Sequence, residues 1–494
     1  MNNDCYENKK IHGISFDAIL LAVIRLLTTF LGIFSTMLLS KSLSLSAYGT
    51  YSQANLVISI GTSFSILGLT DGTNFFFNKA QDEVECRENL NTIFAIQIAV
   101  GGLLGFAILI FREWITQYFQ NVKLTGIFIY IAFRPLLNNL LAMLQNLQVS
   151  IGRAKMIAVR NIAVSVVKLL AIYLAIRIFN DIKTIFLCLL FLDVITVVYF
   201  WSSFARERYP IEILKANKKR VSSILKFCVP MGIFVLTNSL LRDIDKACIG
   251  RLGGTEELAI YTNCSTILPV DIISAAFLTV VIPIMTRYIS LGEYKKGSDL
   301  FSYYIQIGYL TTATFSTAIA VLSKEVILFL YGEAYLKGQY VFLLYMIVSI
   351  LRFANLSLVL SANGETQRLM MISIIGLIFN TFMNIVLYHL VGFTGPAIAT
   401  VIMTAATTFI LLKRSISILH TNLNYIFDFK KLVIYIAELL VIVPVFRIFA
   451  NYMEFIGVPT IGIIILAGGG ICGTIFIINI KSIVDLMKKI NQLR

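Results

Sequence analysis

Charge is what this 494-residue sequence has least of: Asp, Glu, Lys and Arg together make 14%, and only 27 residues are acidic against 41 basic. A chain that folds in water carries about 25% charged residues, so a soluble globular protein is excluded. The seven cysteines (Cys5, Cys86, Cys188, Cys228, Cys248, Cys264, Cys472) form no CxxC pair and mostly sit within apolar runs, which argues against a disulfide framework or a zinc site. His12, His389 and His420 are too scattered to form a ligand set. No GxxxxGK[ST] loop is present and no GxGxxG follows a strand, so ATP held on this chain is not the energy source. The alternating ten-residue segments of a membrane β-barrel are missing as well. No cofactor and no metal are expected.

What remains is apolar and continuous. Hydrophobic residues reach 58% and mean hydropathy is +0.83, and runs of about twenty apolar residues, enough to cross a bilayer as a helix, recur along the chain. They fall near 14–39, 48–70, 90–111, 124–146, 156–176, 184–204 and 224–245, then 258–285, 300–321, 339–360, 369–389, 395–412, 432–450 and 456–479. The expected fold is an all-α polytopic membrane protein of about 14 transmembrane helices. Connections are too short for a soluble domain. The first run is longer than a signal-peptide core and lacks a cleavage site, so it is expected to stay as a helix.

An even number of spans puts both termini on one side of the membrane. With the N-terminus inside, 26 of the 41 basic residues fall on the inner side, 10 on the outer and five within spans. By the positive-inside bias both ends are expected in the cytoplasm, and the formal charge of +14 serves insertion and anionic headgroups rather than nucleic acid. The most basic stretch, Arg206 to Lys226, reads as a cytoplasmic linker that fixes topology. The expected organisation is an N-lobe over 1–205 with helices 1–6, the linker over 206–223, a C-lobe over 224–414 with helices 7–12, and two further helices and a tail over 415–494.

The halves echo each other weakly. Ala47 to Gln53 (AYGTYSQ) answers Leu258 to Cys264 (LAIYTNC), and Gly152-Arg153-Ala154-Lys155 answers Gly364-Glu365-Thr366-Gln367. Six helices per repeat is even, so the repeats would be related by a pseudo-twofold axis along the membrane normal, with a substrate site between them near the midplane.

Leu38 to Tyr51 (LLSKSLSLSAYGTY), Gly68-Leu69-Thr70-Asp71-Gly72, and Asp245-Lys246 with Ile249-Gly250-Arg251-Leu252 ahead of Tyr261 carry a resemblance over nearly the whole chain. It resembles the polysaccharide (oligosaccharide-lipid) flippases of the multidrug/oligosaccharidyl-lipid/polysaccharide exporter (MOP) superfamily. The resemblance implies two six-helix lobes forming a V around a central cavity, with two extra C-terminal helices, in a bacterial plasma membrane. It implies a transporter, not an enzyme, that moves an undecaprenyl-diphosphate-linked oligosaccharide from the inner to the outer leaflet. A polysaccharide polymerase and other assembly proteins are the partners such a carrier would work beside.

Independently of that resemblance, Arg25, Arg134, Lys168, Arg242 and Arg352 lie inside spans. A charge near the bilayer centre costs about 2.5–3.5 kcal/mol, so each should face a bundle interior or an aqueous cavity. Helical spacing places Arg25 with Thr29, Gly32 and Thr36; Arg134 with Asn138 and Gln145; Lys168 with Asn161 and Ser165; Arg242 with Asn238 and Asp245; and Arg352 with Asn355. A cavity built from these stripes suits a diphosphate and sugar hydroxyls, because guanidinium forks match phosphate oxygens and amides exchange hydrogen bonds with hydroxyls. Each cation also has a structural reading: Arg242 could pair with Asp243 and Asp245, Arg134 could serve a carbonyl freed by Pro135, and Lys168 could snorkel.

Carboxylates at membrane depth are few: Asp193, Asp243, Asp245, Asp271 and Glu438. Asp271, two residues after Pro269, is the coupling candidate, with pairing to a cavity cation as the plainer role. Glu438 could meet a lipid tail or another helix. A drug/cation antiporter of the same superfamily would want more acidic residues in the cavity. A membrane-embedded polysaccharide polymerase would want a sizeable extramembrane loop with acid/base groups.

Overall fold

The computed structural model describes residues 11–179, 181–206, 210–266 and 272–493, and the described residues are helical with no strand. In lipid every backbone amide needs a partner, and a helix supplies all of them within one segment. Nine helices among the described residues are long and apolar enough to cross a membrane, ten with the bent pair Tyr294–Val321 and Ser323–Leu330, which turns by 78°. The fourteen expected spans fall mostly on helices, and those near 48–70, 124–146, 258–285 and 339–360 are interrupted.

The chain divides into two compact units, Met1–Asp243 with Gly254–Glu256, and Ile244–Gly253 with Glu257–Arg494. The first contains α1 (Ile11–Ser42), α2 (Leu45–Ser65), α3 (Leu69–Lys79), α4 (Glu83–Ile110), α5 (Arg112–Phe119), α6 (Phe128–Ile131), α7 (Arg134–Ser150), α8 (Ala154–Phe179), α9 (Ile182–Ala205) and most of α10 (Lys218–Leu252). Polar caps start several of these: Ser44 accepts from the Ala47 amide, Asp82 from Glu85 and Asp181 from Lys183. The core gathers Leu69, Phe94, Met143, Leu144, Leu147, Phe200 and Phe204. At the α2–α3 turn Gly68 has φ +70°, and a Cβ there would lie 2.2 Å from the Cys228 carbonyl of α10. Opposite it, a Cβ on Gly232 would meet Leu67 at 2.4 Å, so two glycines let the backbones touch.

The expected linker is docked on α4. The Glu212 amide donates to Asn91 Oδ1 at 2.7 Å, the Asn217 amide to Thr92 Oγ1 at 3.0 Å, and Arg220 reaches Glu85, Glu88 and Asn89 at 2.8–3.1 Å. Its last residues, from Lys218, already belong to α10.

The second unit contains most of α11 (Gly254–Cys264), then α12 (Ile272–Ser290), α13 (Tyr294–Gly308), a π-helical segment Tyr309–Ala313, α14 (Thr314–Val321), α15 (Ser323–Leu330), α16 (Gln339–Leu351), α17 (Leu358–Ala362), α18 (Thr366–Val391) and α19 (Gly395–Ile418). It closes with α20 (Leu423–Ile426), α21 (Phe429–Phe455), α22 (Thr460–Ile463), a second π-helical segment Ile464–Gly468 and α23 (Gly469–Gln492).

Two expectations change here. The span over 258–285 is two helices, α11 and α12, and Asp271 lies outside the described residues. The span over 339–360 breaks after Leu351, so Arg352 and Asn355 do not share a helical face. The break is held from outside: the Asn355 amide donates to the Tyr304 hydroxyl at 3.1 Å, and Thr408 and Ser415 donate to the carbonyls of Leu351 and Leu356 at 3.4 and 3.3 Å. A Cβ on Gly308 would lie 2.5 Å from the Phe353 carbonyl, so α13 passes this irregular backbone closely. Irregular backbone at membrane depth is tolerated where protein groups satisfy it in this way.

Candidate functional site

In the first unit the deepest charged group is Arg134. It opens α7, with Pro135 in the first turn where no amide is missed, so there is no freed carbonyl for it to serve. Its Nε and Nη2 both lie 2.8 Å from Asp193 Oδ2 on α9, and its guanidinium sits 6.0 Å from the Phe186 ring, on which Tyr51 stacks at 5.2 Å. Arg134 is buried, whereas the Asp193 side chain keeps 21% of its surface. Asp193 and Arg134 are also the charges that act on Lys168, which is exposed on α8 and forms no salt bridge among the described residues.

The α7 and α8 stripes meet. Gln145 Nε2 donates to Asn161 Oδ1 at 3.4 Å, and Asn138, half-buried, has no partner among the described residues. A residue not singled out by its position in the sequence joins them: Arg160 Nη1 donates to Asn161 Oδ1 at 3.3 Å, with its guanidinium 3.8 Å from the Phe200 ring. Its position on α8, six residues after the helix starts, is what marks it out.

Arg242 joins no ion pair among the described residues. Its Nη2 donates to Ser239 Oγ at 3.1 Å, while Asp243 accepts from Ser59 at 2.6 Å. In the second unit Asp245 is buried, accepting from the Lys246 amide at 2.7 Å, the Tyr261 hydroxyl at 3.1 Å and the Tyr345 hydroxyl. That carboxylate–tyrosine knot was legible only in part, through Tyr261 in the repeated segment. Arg352 is exposed at the α16–α17 break, and Asn355 Oδ1 accepts from the Ser357 amide and hydroxyl at 3.1 and 2.6 Å. Glu438 meets another helix, accepting from Asn479 of α23 at 2.6 Å. The side chain of Arg25 lies outside what is described, as does Asp271. Among the described residues no group of three or more His, Cys, Asp and Glu could hold a metal.

Chemically, the first unit offers two exposed cations on expected spans, Lys168 and Arg242, with an amide-lined α7–α8 face and a buried arginine compensated by one carboxylate.

Solved structures similar to this chain share its fold. A multidrug resistance MATE-family transporter of the MOP superfamily, inward-facing, matches with a TM-score of 0.67 at 13% identity over 82% of this chain and 98% of its own. The lipid II flippase MurJ, in an inward closed conformation, matches with a TM-score of 0.67 at 14% identity over 94% of this chain and all of its own. The MATE transporter VcmN of Vibrio cholerae, as a point mutant, matches at 0.55 and 13% identity over 83% and 99%. No curated protein matches the chain by sequence. The molecule is thus a multi-pass helical membrane protein that shares the fold of these solved transporters. Residues 38–339 match the model of the polysaccharide biosynthesis protein family, and the chain belongs to that family.

Proposed function

We propose that the protein is a flippase that carries an undecaprenyl-diphosphate-linked oligosaccharide from the inner to the outer leaflet of a bacterial plasma membrane by alternating access. The observation that carries this reading is the pair Lys168 and Arg242, cations on expected membrane spans whose exposed side chains have no salt bridge among the described residues. An exposed cation at that depth calls for an aqueous cavity and is best neutralised by an anionic cargo. Membership of a polysaccharide biosynthesis family points to a glycan carrier, and the fold supports movement across the membrane rather than catalysis.

In this reading Arg25, Arg134, Lys168, Arg242 and Arg352, with Asn138 and Asn355, contact the diphosphate and the first sugars, and Asp271 supplies coupling. Asp193 holds Arg134 in the empty carrier and can release it to phosphate. The lobes over 1–205 and 224–414 rock, joined by the 206–223 linker, while the polyprenyl tail stays in lipid.

The test is flipping of a lipid-linked oligosaccharide in reconstituted vesicles. Lys168→Ala and Arg242→Ala are each expected to lower the rate at least tenfold, since a charge-assisted phosphate contact is worth roughly 1.5–3 kcal/mol. Lys168→Arg should keep part of it. Unchanged flipping by both Ala variants at matched insertion, or export of a cationic drug instead of the glycan lipid, would overturn the proposal.

A further inference from the structure

The second unit holds a polar cavity that the transport reading does not use. Its volume is about 610 Å³, and its walls come from α13, α20, the start of α21 and the end of α23. Lys431 Nζ lies 3.3 Å from Asp428 Oδ2 and 3.5 Å from Gln306 Oε1. Gln306 is itself buried and fixed: its Nε2 donates to Ser302 Oγ at 3.1 Å, and Ser302 donates to the Ile426 carbonyl at 2.7 Å. Lys489, also in the lining, lies 5.4 Å from the centre of the Tyr303 ring and has no carboxylate partner among the described residues. The Tyr425 hydroxyl donates to Asp299 Oδ1 at 2.5 Å. The cavity therefore presents two ammonium groups and two carboxylates, each held by a neighbour, with aromatic rings between them.

Its place along the helices matters. Residues 299–306 and 424–431 sit where the expected spans at 300–321 and 432–450 begin, and α23 runs beyond the expected span end at 479 to carry Lys488 and Lys489. That is the headgroup level, where basic pockets between membrane helices take lipid phosphates. The two carboxylates choose among phosphates. They repel a free, multiply charged phosphate, but a phosphodiester has a single negative charge for Lys431 and Lys489. A hydroxyl or ammonium group beyond that phosphodiester can donate to Asp299 and Asp428.

We propose that this cavity binds the phosphodiester headgroup of a membrane phospholipid whose headgroup also carries hydrogen-bond donors, as phosphatidylglycerol and phosphatidylethanolamine do. The bound lipid would tie α21 and α23 to α13 at the membrane surface. This holds whatever the protein transports.

The experiment is lipid retention by the purified full-length protein, read by native mass spectrometry after delipidation and addition of phosphatidylglycerol, phosphatidylethanolamine or phosphatidylcholine. The first two should be held more tightly than phosphatidylcholine, whose headgroup has no N–H or O–H donor. The double variant Lys431→Gln/Lys489→Gln should weaken their retention about tenfold or more, as expected when charge-assisted contacts are lost. Lys481→Gln, with a lysine outside the cavity, should leave retention unchanged. Asp299→Asn keeps the shape and should reduce the preference over phosphatidylcholine while leaving binding. Equal retention by the double variant, an equal loss with Lys481→Gln, or an unchanged lipid preference in Asp299→Asn would overturn the assignment. Full displacement by soluble glycerophosphoglycerol or glycerophosphoethanolamine would give the site to a free phosphodiester and overturn the lipid.

Discussion

Arg134 and Asp193 are 59 positions apart in sequence and form the most buried charge pair of the first unit. Removing one partner of such a pair leaves a charge with nowhere to go, at a cost of roughly 3–5 kcal/mol, whereas replacing both by apolar residues is often close to neutral. Asp193→Leu alone is therefore expected to lower the unfolding temperature of the detergent-solubilised protein substantially, and Arg134→Met/Asp193→Leu to recover most of the loss. Transport should not return in the double variant if Arg134 also meets phosphate, which separates a contact role from a packing role. An Asp193→Leu protein as stable as the parent would show that the pair carries no such load. The sequence made Arg134 conspicuous, because a cation in an apolar run is costly wherever it sits. It could not name the partner, since Asp193 comes near only through the packing of α7 on α9.

Helices were legible for the same reason that membrane helices are simple: length and continuous hydrophobicity leave one regular solution. The interruption within 339–360 was not. No glycine or proline lies between Arg352 and Ser357, so the α16–α17 break had no local signal; Tyr304, Thr408 and Ser415, each at least 48 positions away, satisfy its backbone. The turn that follows α17 has a different anchor. Glu365 accepts from Arg414 of α19 through Nε at 2.9 Å and through Nη2, and from Arg368 at 2.7 Å. The Arg414 hydrogen bonds are the main reason its carboxyl is held below the ordinary range. A carboxyl with a depressed folded-state pKa contributes stability above its unfolded value, about 4.3, and that contribution is lost as pH falls through the folded value. Melting temperature should thus drop on acidification below about pH 4, and Glu365→Gln should remove part of that drop while lowering stability modestly at neutral pH, the group being partly exposed. An identical acid profile in the variant would detach the pH dependence from this latch.

For the molecule as a whole, the distribution of basic residues sets a direction across the membrane that the helices alone do not. With the N-terminus inside, 26 basic residues fall on that side against 10 on the other, and the excess gathers in the Arg206–Lys226 linker and the Lys481–Lys489 end of the chain. Basic loops resist translocation, so both segments are expected to face the cytoplasm. The docking of the linker on the start of α4 fits this, because Glu85, Glu88 and Arg220 then share one aqueous face. A membrane-impermeant thiol reagent applied to intact cells, after replacement of the native cysteines, decides it. Val122→Cys, on an exposed residue of the connection between α5 and α6, should react from outside. Lys219→Cys and Asn491→Cys should react only once the inner face is opened. Under the proposed function, that orientation would put the basic side of the protein at the inner leaflet, where it would gather an anionic headgroup. Labelling of Lys219→Cys in intact cells would invert the expected topology and, with it, the proposed direction of transport.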